Sequence, residues 1–321
     1  MSTDFCHALQ GVHAATVVPL KRDFSLDEEA LAAHLTWVSQ RPGIRGLLVN
    51  GHAGENFLLS SEEKRRLVEI ARAVCPPDCL LVSGVNAESS LEAAHEAAIV
   101  EKAGAAGLLV FPPNSWALQH CEESVWLHHA HIRDATAVPL LIYGAPVTAG
   151  AMAYSPKVLE RLAAEPRIVA IKEGSWEVAA YEANLRLLKA LRPDFVVLGS
   201  GDEHLLTSYL IGSAGSQVSL AAVVPDLVSE LWSAAEAGDW PRARAAHERL
   251  YPLVVAVYRD PPGGRAAARL KACLAINGQL RHDAVRPPQT AATSAEYRKL
   301  EKALAVAAGG VASPIMNHAL P

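Results

Sequence analysis

Eight short apolar runs, separated by segments with helical periodicity, constrain the fold of this chain more than any other feature of its sequence. The runs span residues 13–20, 44–50, 80–84, 107–111, 139–143, 168–172, 195–199 and 216–220. They recur about every 20 to 35 residues, which is the length of a strand, a helix and two loops. This rhythm predicts parallel strands connected by helices.

Eight such units in about 220 residues favour a closed (β/α)8 barrel over an open sheet. A doubly wound sheet is the alternative, but it would carry a glycine-rich phosphate turn after its first strand, and the sequence Val-Val-Pro-Leu stands there. After residue 220 the alternation stops, and we expect four C-terminal helices to pack on the barrel. The predicted division is an N-terminal arm at 1–11, a barrel at 12–224, C-terminal helices at 225–308 and a tail at 309–321.

Several helix ends carry signals of their own. Ser25 or Asp27 is a candidate N-cap for the helix that ends near residue 40. Ser60 or Ser61, followed by glutamates, predicts a capping box for the next helix. Gly104 is placed where a helix commonly ends in a left-handed glycine.

Composition excludes several classes of protein. Half of the 321 residues are apolar and a fifth are charged, which excludes intrinsic disorder. The net charge of -5 indicates neither nucleic acid nor an anionic membrane as a partner. No apolar stretch approaches the roughly 18 to 20 residues of a membrane span, and the N-terminus does not resemble a signal peptide. We therefore expect a cytoplasmic protein.

The sequence predicts no metal site. Cys75 and Cys79 are four residues apart, but no second pair completes a zinc site. His128, His129 and His131 are close in sequence, and we interpret them as part of a solvated helix face, because no acidic ligand pattern accompanies them.

Lys172 and Tyr143 end the sixth and fifth runs, where a (β/α)8 barrel places its catalytic residues. Neighbouring strands bring both side chains to the same rim. A desolvated lysine becomes a neutral amine nucleophile, and a phenol beside it can carry protons, as imine chemistry requires. From the residues alone, two other interpretations stay open. Lys172 could reach solvent or pair with Glu173, and Tyr143 could be a packing residue.

The second run ends in the sequence Gly51-His52-Ala53-Gly54-Glu55. The two glycines allow a tight turn whose outward N–H groups suit a carboxylate or a phosphate. Because turns of this kind are common, this signal is weak by itself.

Together these residues resemble the dihydrodipicolinate synthase / N-acetylneuraminate lyase family of class I pyruvate-type aldolases and dehydratases. The matching pieces, in family order, are Gly51 to Glu55, Val82-Ser83-Gly84, Phe111-Pro112-Pro113, Tyr143-Gly144-Ala145-Pro146, Ile171-Lys172-Glu173, Gly199-Ser200-Gly201-Asp202, Leu270-Lys271 and Val285-Arg286-Pro287-Pro288. The resemblance implies that Lys172 is the Schiff-base lysine, with Tyr143 as the phenol beside it. It also implies a carboxylate held by the turn at Gly51, Ala53, Gly54 and Glu55, and usually a homotetramer.

Three departures from the family pattern concern the substrate. His52 and Ala53 replace two threonines, the first of which relays protons, and we expect His52 to be either a relay or a binding group. Asn114 stands where tyrosines often follow. Thr148 replaces an arginine that dihydrodipicolinate synthases use for their second substrate, and this disfavours 4-hydroxy-tetrahydrodipicolinate synthase activity.

We therefore expect a lyase, aldolase or dehydratase, that forms an imine between Lys172 and pyruvate or another 2-oxo acid, without a cofactor. The catalytic candidates are Lys172, Tyr143 and His52. The substrate-binding candidates are Gly51, Ala53, Gly54, Glu55, Asn114, Thr148 and Gln217. The alternative is a catalytically weak protein that binds or senses a 2-oxo acid.

Overall fold

The computed structural model describes residues 2–118, 120–261 and 263–309. Within these residues, eight parallel strands close into a barrel, each hydrogen-bonded to its neighbours in sequence and the last to the first. The strands are β1 (Gly11–Ala15), β2 (Ile44–Val49), β3 (Leu80–Val85), β4 (Gly107–Val110), β5 (Leu140–Gly144), β6 (Ile168–Glu173), β7 (Val196–Gly199) and β8 (Gly215–Val218). The predicted (β/α)8 barrel is confirmed.

Helices precede the barrel, surround it and follow it. They are α1 (Ser2–Ala8), α2 (Glu28–Ser39), α3 (Ser61–Val74), α4 (Ser90–Lys102), α5 (Glu122–Ala135), α6 (Pro156–Ala163), α7 (Val178–Leu191), α8 (Leu205–Ile211), α9 (Pro225–Glu236), α10 (Trp240–Val254), α11 (Ala266–Ile276) and α12 (Ser294–Ala307). A π-helical turn, Val255–Arg259, continues α10. The C-terminal helical extension is confirmed. None of the described helices is long and apolar enough to cross a bilayer.

The packing of α9 bears on where the barrel ends. This helix packs against α8 and β1, so it occupies the place of the eighth outer helix. The division of the chain at residues 11, 224 and 308 stays a prediction. The arm contains α1, and residues 310–321 of the tail lie outside the described residues.

Local signals fix several helix ends. Asp27 caps α2 by accepting a hydrogen bond from the N–H of Ala30. Ser60 and Glu63 form a capping box at the start of α3. Gly104 follows α4 with a φ of +115°, a conformation that glycine adopts without strain. These ends agree with those expected from the sequence.

The first strand differs from its prediction. We expected residues 13–20, whereas β1 is Gly11–Ala15. The apolar residues that follow are buried in the core without being part of the sheet. The predicted strand was too long because an apolar run marks a buried segment, and here the buried segment extends beyond the end of β1.

The barrel interior is apolar along most of its length. Inward residues such as Leu48, Leu109, Leu141 and Val196 form one buried cluster, which Phe5 and Leu9 join at the N-terminal end. His13 of β1 and Gln217 of β8 are buried polar exceptions that lie side by side in the sheet. The reactive candidates lie at the C-terminal rim, where barrel enzymes place their chemistry.

Candidate active site

Lys172 and Tyr143 lie opposite each other on β6 and β5. Both side chains are largely buried, at 8% and 7% exposure. Gly174 makes room for this arrangement, because a Cβ at that position would lie 2.7 Å from the carbonyl oxygen of Gly144 and 3.2 Å from the ring of Tyr143. The structure thus brings together the two residues that were expected at one rim because they end neighbouring strands.

Burial makes Lys172 a better nucleophile than a lysine in water. Loss of solvation lowers its pKa from 10.5 to about 8, and the carboxylate of Asp202 opposes that shift. At pH 7 roughly a tenth of a group with that pKa is the neutral amine, compared with less than a thousandth at the ordinary value.

Tyr143 lies in an aromatic environment. Its ring centroid is 4.8 Å from that of Phe111 and 5.2 Å from that of His52. Burial, with a smaller contribution from the charge of Glu173, raises the pKa of the phenol above its ordinary value of 10. The hydroxyl therefore keeps its proton at neutral pH and is a donor toward a substrate oxygen.

His52 lies at the mouth of the barrel and is exposed. Its ring lies 4.3 Å from the ring of Phe111. The surrounding protein, followed by the positive charge of Lys172, lowers the pKa of His52 below 6.5. A neutral imidazole at pH 7 is the consequence.

The turn after β2 offers fewer N–H groups than the sequence suggested. The N–H of Gly54 donates to the carbonyl of Gly51, and the N–H of Glu55 donates to that of His52, both at 3.0 Å. These two donors are used within the turn. The N–H groups of His52 and Ala53, at the start of the helical turn, have no hydrogen-bond acceptor among the described residues, so they can donate to an anion.

The Glu55 side chain has a different partner from the one we expected. It is 2% exposed and forms an ion pair with Lys271 of α11, and it accepts a hydrogen bond from the N–H of Arg286 at 3.3 Å. Its carboxylate therefore anchors the turn to the C-terminal extension. A direct contact of this carboxylate with a substrate is not favoured.

The other binding candidates are spread around the rim. Asn114 follows β4 and is exposed, with its N–H donating to Glu88 at 2.9 Å. Thr148 is exposed in the turn Val147–Met152 after β5, and these two loops pack together. Gln217 is fully buried on β8 beside His13, and neither amide atom has a hydrogen-bond partner among the described residues. The Nδ1 of the neighbouring His13 also has no partner there, so the two residues form a buried polar pair with unused hydrogen-bonding groups.

Asp202 was named from the sequence only as part of the family match, and no site role was predicted for Asp202, Ser219 or Tyr258. Asp202 is 2% exposed just beyond β7, and its carboxylate accepts a hydrogen bond from the N–H of Leu220 at 2.9 Å. Ser219 and Tyr258 are joined through their hydroxyls. The strand-end position could have identified Asp202. No sequence signal brings Tyr258 here, because it comes from the C-terminal extension.

The interpretation of the histidine cluster was wrong. His128 and His129 are each 1% exposed, because Trp116 and Tyr154 from the loops after β4 and β5 cover this part of α5. His131 is exposed. In the described part of the chain, no group of three or more His, Cys, Asp or Glu side chains is arranged to hold a metal ion.

Comparison with known proteins identifies the family. The model of the dihydrodipicolinate synthetase family matches residues 8–307. A 4-hydroxy-tetrahydrodipicolinate synthase from Anaplasma marginale is 30% identical over 92% of this chain and 94% of its own. One from Archaeoglobus fulgidus is 33% identical over 78% of this chain and 83% of its own.

Solved structures agree. The dihydrodipicolinate synthase of Agrobacterium tumefaciens is 28% identical, with a TM-score of 0.83 over 95% of this chain and all of its own. That of Thermotoga maritima is 25% identical, with a TM-score of 0.85 over 94% of this chain and 99% of its own. The chain therefore belongs to the dihydrodipicolinate synthetase family.

Proposed function

We propose that Lys172 forms an imine with the C2 carbonyl of pyruvate or another 2-oxo acid, and that Tyr143 moves the protons of this reaction. Membership of the family makes the chain a class I lyase. The observation that supports these residue roles is the pairing of a buried lysine with a buried phenol across β5 and β6.

The chemistry follows from that pair. The neutral amine attacks C2, and the carbinolamine oxygen leaves as water after taking up a proton from the neighbouring phenol. The resulting iminium accepts an electron pair from a bond at C3, which permits cleavage of the C3–C4 bond or loss of a proton from C3 followed by loss of a C4 hydroxyl. No step needs a metal or an organic cofactor.

The remaining residues bind and orient the acid. We assign the substrate carboxylate to the N–H groups of His52 and Ala53. The His52 side chain is then either a proton relay or a hydrogen-bonding group for the substrate, and its proximity to the Tyr143 ring supports the relay. Asn114, Thr148 and Gln217 are assigned to the distal part of the substrate.

The names of the relatives correct one inference from Thr148. Several relatives are 4-hydroxy-tetrahydrodipicolinate synthases, so the comparisons give no support to excluding that reaction. Within the lyase class, the products formed from a panel of 2-oxo acids identify the second substrate and distinguish an aldolase from a dehydratase.

Two further proposals concern the assembly and the compartment. We propose a homotetramer, as in the family resemblance, and a location in the cytoplasm. A structural relative that is 25% identical is described as a monomeric dihydrodipicolinate synthase variant. The subunit count of this chain is therefore best measured directly, by sedimentation.

The function is tested with a panel of 2-oxo acids, in which pyruvate with aspartate semialdehyde is included, and with product formation as the readout. We expect turnover by the wild type and by Lys157→Ala, which removes an exposed lysine on α6. We expect none by Lys172→Ala. Binding of a 2-oxo acid without any turnover by the wild type would favour the binding or sensing alternative.

A further inference from the structure

The turn to which we assign the substrate carboxylate lies between two residues with left-handed backbone. Asn50, just before the turn, has a φ of +55°, and Glu55, at its end, has a φ of +56°. Residues other than glycine keep this conformation where the surrounding structure holds them, and they cluster at ligand-binding sites. The ion pair with Lys271 holds the Glu55 end. The Asn50 end needs a support of its own.

The side chain of Asn50 supplies this support. It is fully buried, and its Nδ2 donates to the backbone carbonyl of Lys64 at 3.1 Å and to the hydroxyl of Ser83 at 2.9 Å. A carbonyl can only accept, so the contact with Lys64 decides which end of the amide is the donor. The Ser83 hydroxyl accepts because it donates its own hydrogen to the carbonyl of Gly84, at 3.2 Å. Asn50 thereby joins the start of the turn to α3 and β3.

Lys64 is itself fixed by a buried ion pair. Its ammonium donates to the carboxylate of Glu96 on α4 at 2.7 Å and to the carbonyl of Asn86 at 3.0 Å. The other carboxylate oxygen of Glu96 accepts from the N–H of Asn86 at 2.8 Å. The two charged side chains are 3% and 2% exposed, so a displacement of either one would leave a charge without its partner in the interior. The carbonyl that receives the Asn50 amide is therefore held in place from α4 and from the loop after β3.

Close packing leaves the backbone of Asn50 little room to move. A Cβ at Gly84 would lie 2.0 Å from the carbonyl oxygen of Asn50 and 2.9 Å from the ring of Phe111. Glycine therefore lets the end of β2 lie directly against the end of β3. The ring of Phe111 also lies 4.3 Å from the ring of His52, within the turn. The turn thus starts from a fixed point.

We propose that the buried polar side chains behind the turn form a clamp that positions its free N–H groups for the carboxylate of a 2-oxo acid. This Asn50 clamp consists of Asn50, Ser83, Lys64 and Glu96. Because Asn50 is fully buried, it acts through the turn as a positioning residue. Donors that are in place before the ligand arrives need no ordering when it binds. The inference rests on the proposed assignment of the carboxylate to this turn.

The test varies the pyruvate concentration while borohydride traps the imine. Asn50→Gly keeps a left-handed backbone without strain and removes both donor contacts. We expect the half-saturating pyruvate concentration to rise about tenfold, because the turn must then be ordered on binding. The trapping rate at saturation should stay within about twofold of the wild type, because Lys172 and Tyr143 lie on other strands.

Two further variants accompany this one. Lys64→Met with Glu96→Met replaces the ion pair with apolar side chains, and we expect the half-saturating concentration to rise about threefold. Glu165→Gln is the matched control, since it breaks an ion pair with Arg133 at the opposite end of the barrel. Both its half-saturating concentration and its saturating rate should equal those of the wild type.

Hydrogen exchange of the turn, followed by mass spectrometry, is a second readout and needs no substrate. The N–H groups of Gly54 and Glu55 are hydrogen-bonded within the turn. In Asn50→Gly their exchange should be about tenfold faster or more, whereas in Glu165→Gln it should not change.

Several results would overturn the inference. A wild-type half-saturating concentration in a folded Asn50→Gly variant does so, and so does a loss confined to the saturating rate. An unchanged double variant removes the Lys64–Glu96 ion pair from the clamp. If Asn50→Gly does not fold, Ser83→Ala, which removes one of the two acceptors, decides by the same criteria.

The two proposals fail in different ways. If the wild type is not trapped with pyruvate or with any other 2-oxo acid, the proposed function fails, and the exchange rates decide whether the clamp holds the turn. If the wild type is trapped and the clamp variants bind pyruvate as it does, the clamp fails and the proposed function stands.

Discussion

Replacing Lys172 with methionine should make the protein inactive and, at neutral pH, more stable. At pH 7 Lys172 is mainly charged both in the fold and in the unfolded chain, so burial of that charge penalises the fold. A fall in pKa from 10.5 to about 8 corresponds to roughly 3 kcal/mol. The attraction between Lys172 and Asp202 is already contained in this figure, because the pKa of about 8 includes it. We therefore expect Lys172→Met to gain about 3 kcal/mol.

The dependence on pH has a defined sign. Between pH 8 and 10.5 the folded wild type loses the Lys172 proton while the unfolded chain keeps it, so the wild type gains stability and the advantage of the variant shrinks. Urea unfolding at pH 7 and at pH 9.5 measures this, with the exposed Lys157→Met as the control. A Lys172→Met variant that is less stable than the wild type at pH 7, or an advantage that does not change with pH, would refute this reasoning.

Three further substitutions test other parts of the site. Tyr143→Phe keeps the aromatic packing and removes the proton carrier, so kcat should fall about 10² or more with normal unfolding; a near-normal kcat would remove the phenol from the mechanism. His52→Gln should lower kcat about 10² without removing a limb near pH 6.5, because the ring is already neutral there; a raised KM alone would assign His52 to binding. Glu55→Gln leaves the ammonium of Lys271 buried without its carboxylate partner, which should lower the free energy of unfolding in urea by about 3 to 5 kcal/mol. The double variant Glu55→Gln with Lys271→Met should recover most of this loss. A loss under about 1 kcal/mol in the single variant would contradict an anchoring role.

The barrel could be predicted from the sequence because its determinants are local. Each strand is an apolar run, and each outer helix follows within a few residues, so order and spacing predict the architecture. The order of the strands then predicted that Tyr143 and Lys172, which end neighbouring strands, lie at one rim, and the β5–β6 register brings them together. The positions of these two catalytic candidates therefore follow from apolar runs in the sequence and from the order of the strands.

Contacts between distant segments could not be predicted in this way. The contact between the hydroxyls of Tyr258 and Ser219 joins residues 39 positions apart and depends on a π-helical turn whose sequence resembles ordinary helix. We predicted that His128 and His129 are solvated, because the periodicity of a helix does not predict which of its residues are buried by neighbouring loops. The ion pair of Glu55 with Lys271 likewise depends on how the C-terminal extension packs.

The imine itself tests the account most directly. The wild-type protein is incubated with pyruvate and borohydride, and the modified peptide is identified by mass spectrometry. The account predicts covalent addition at Lys172, faster at pH 8 than at pH 6, and no labelling of Lys172→Ala. Labelling that persists in Lys172→Ala, or that is found on another lysine in the wild type, would contradict the central claim.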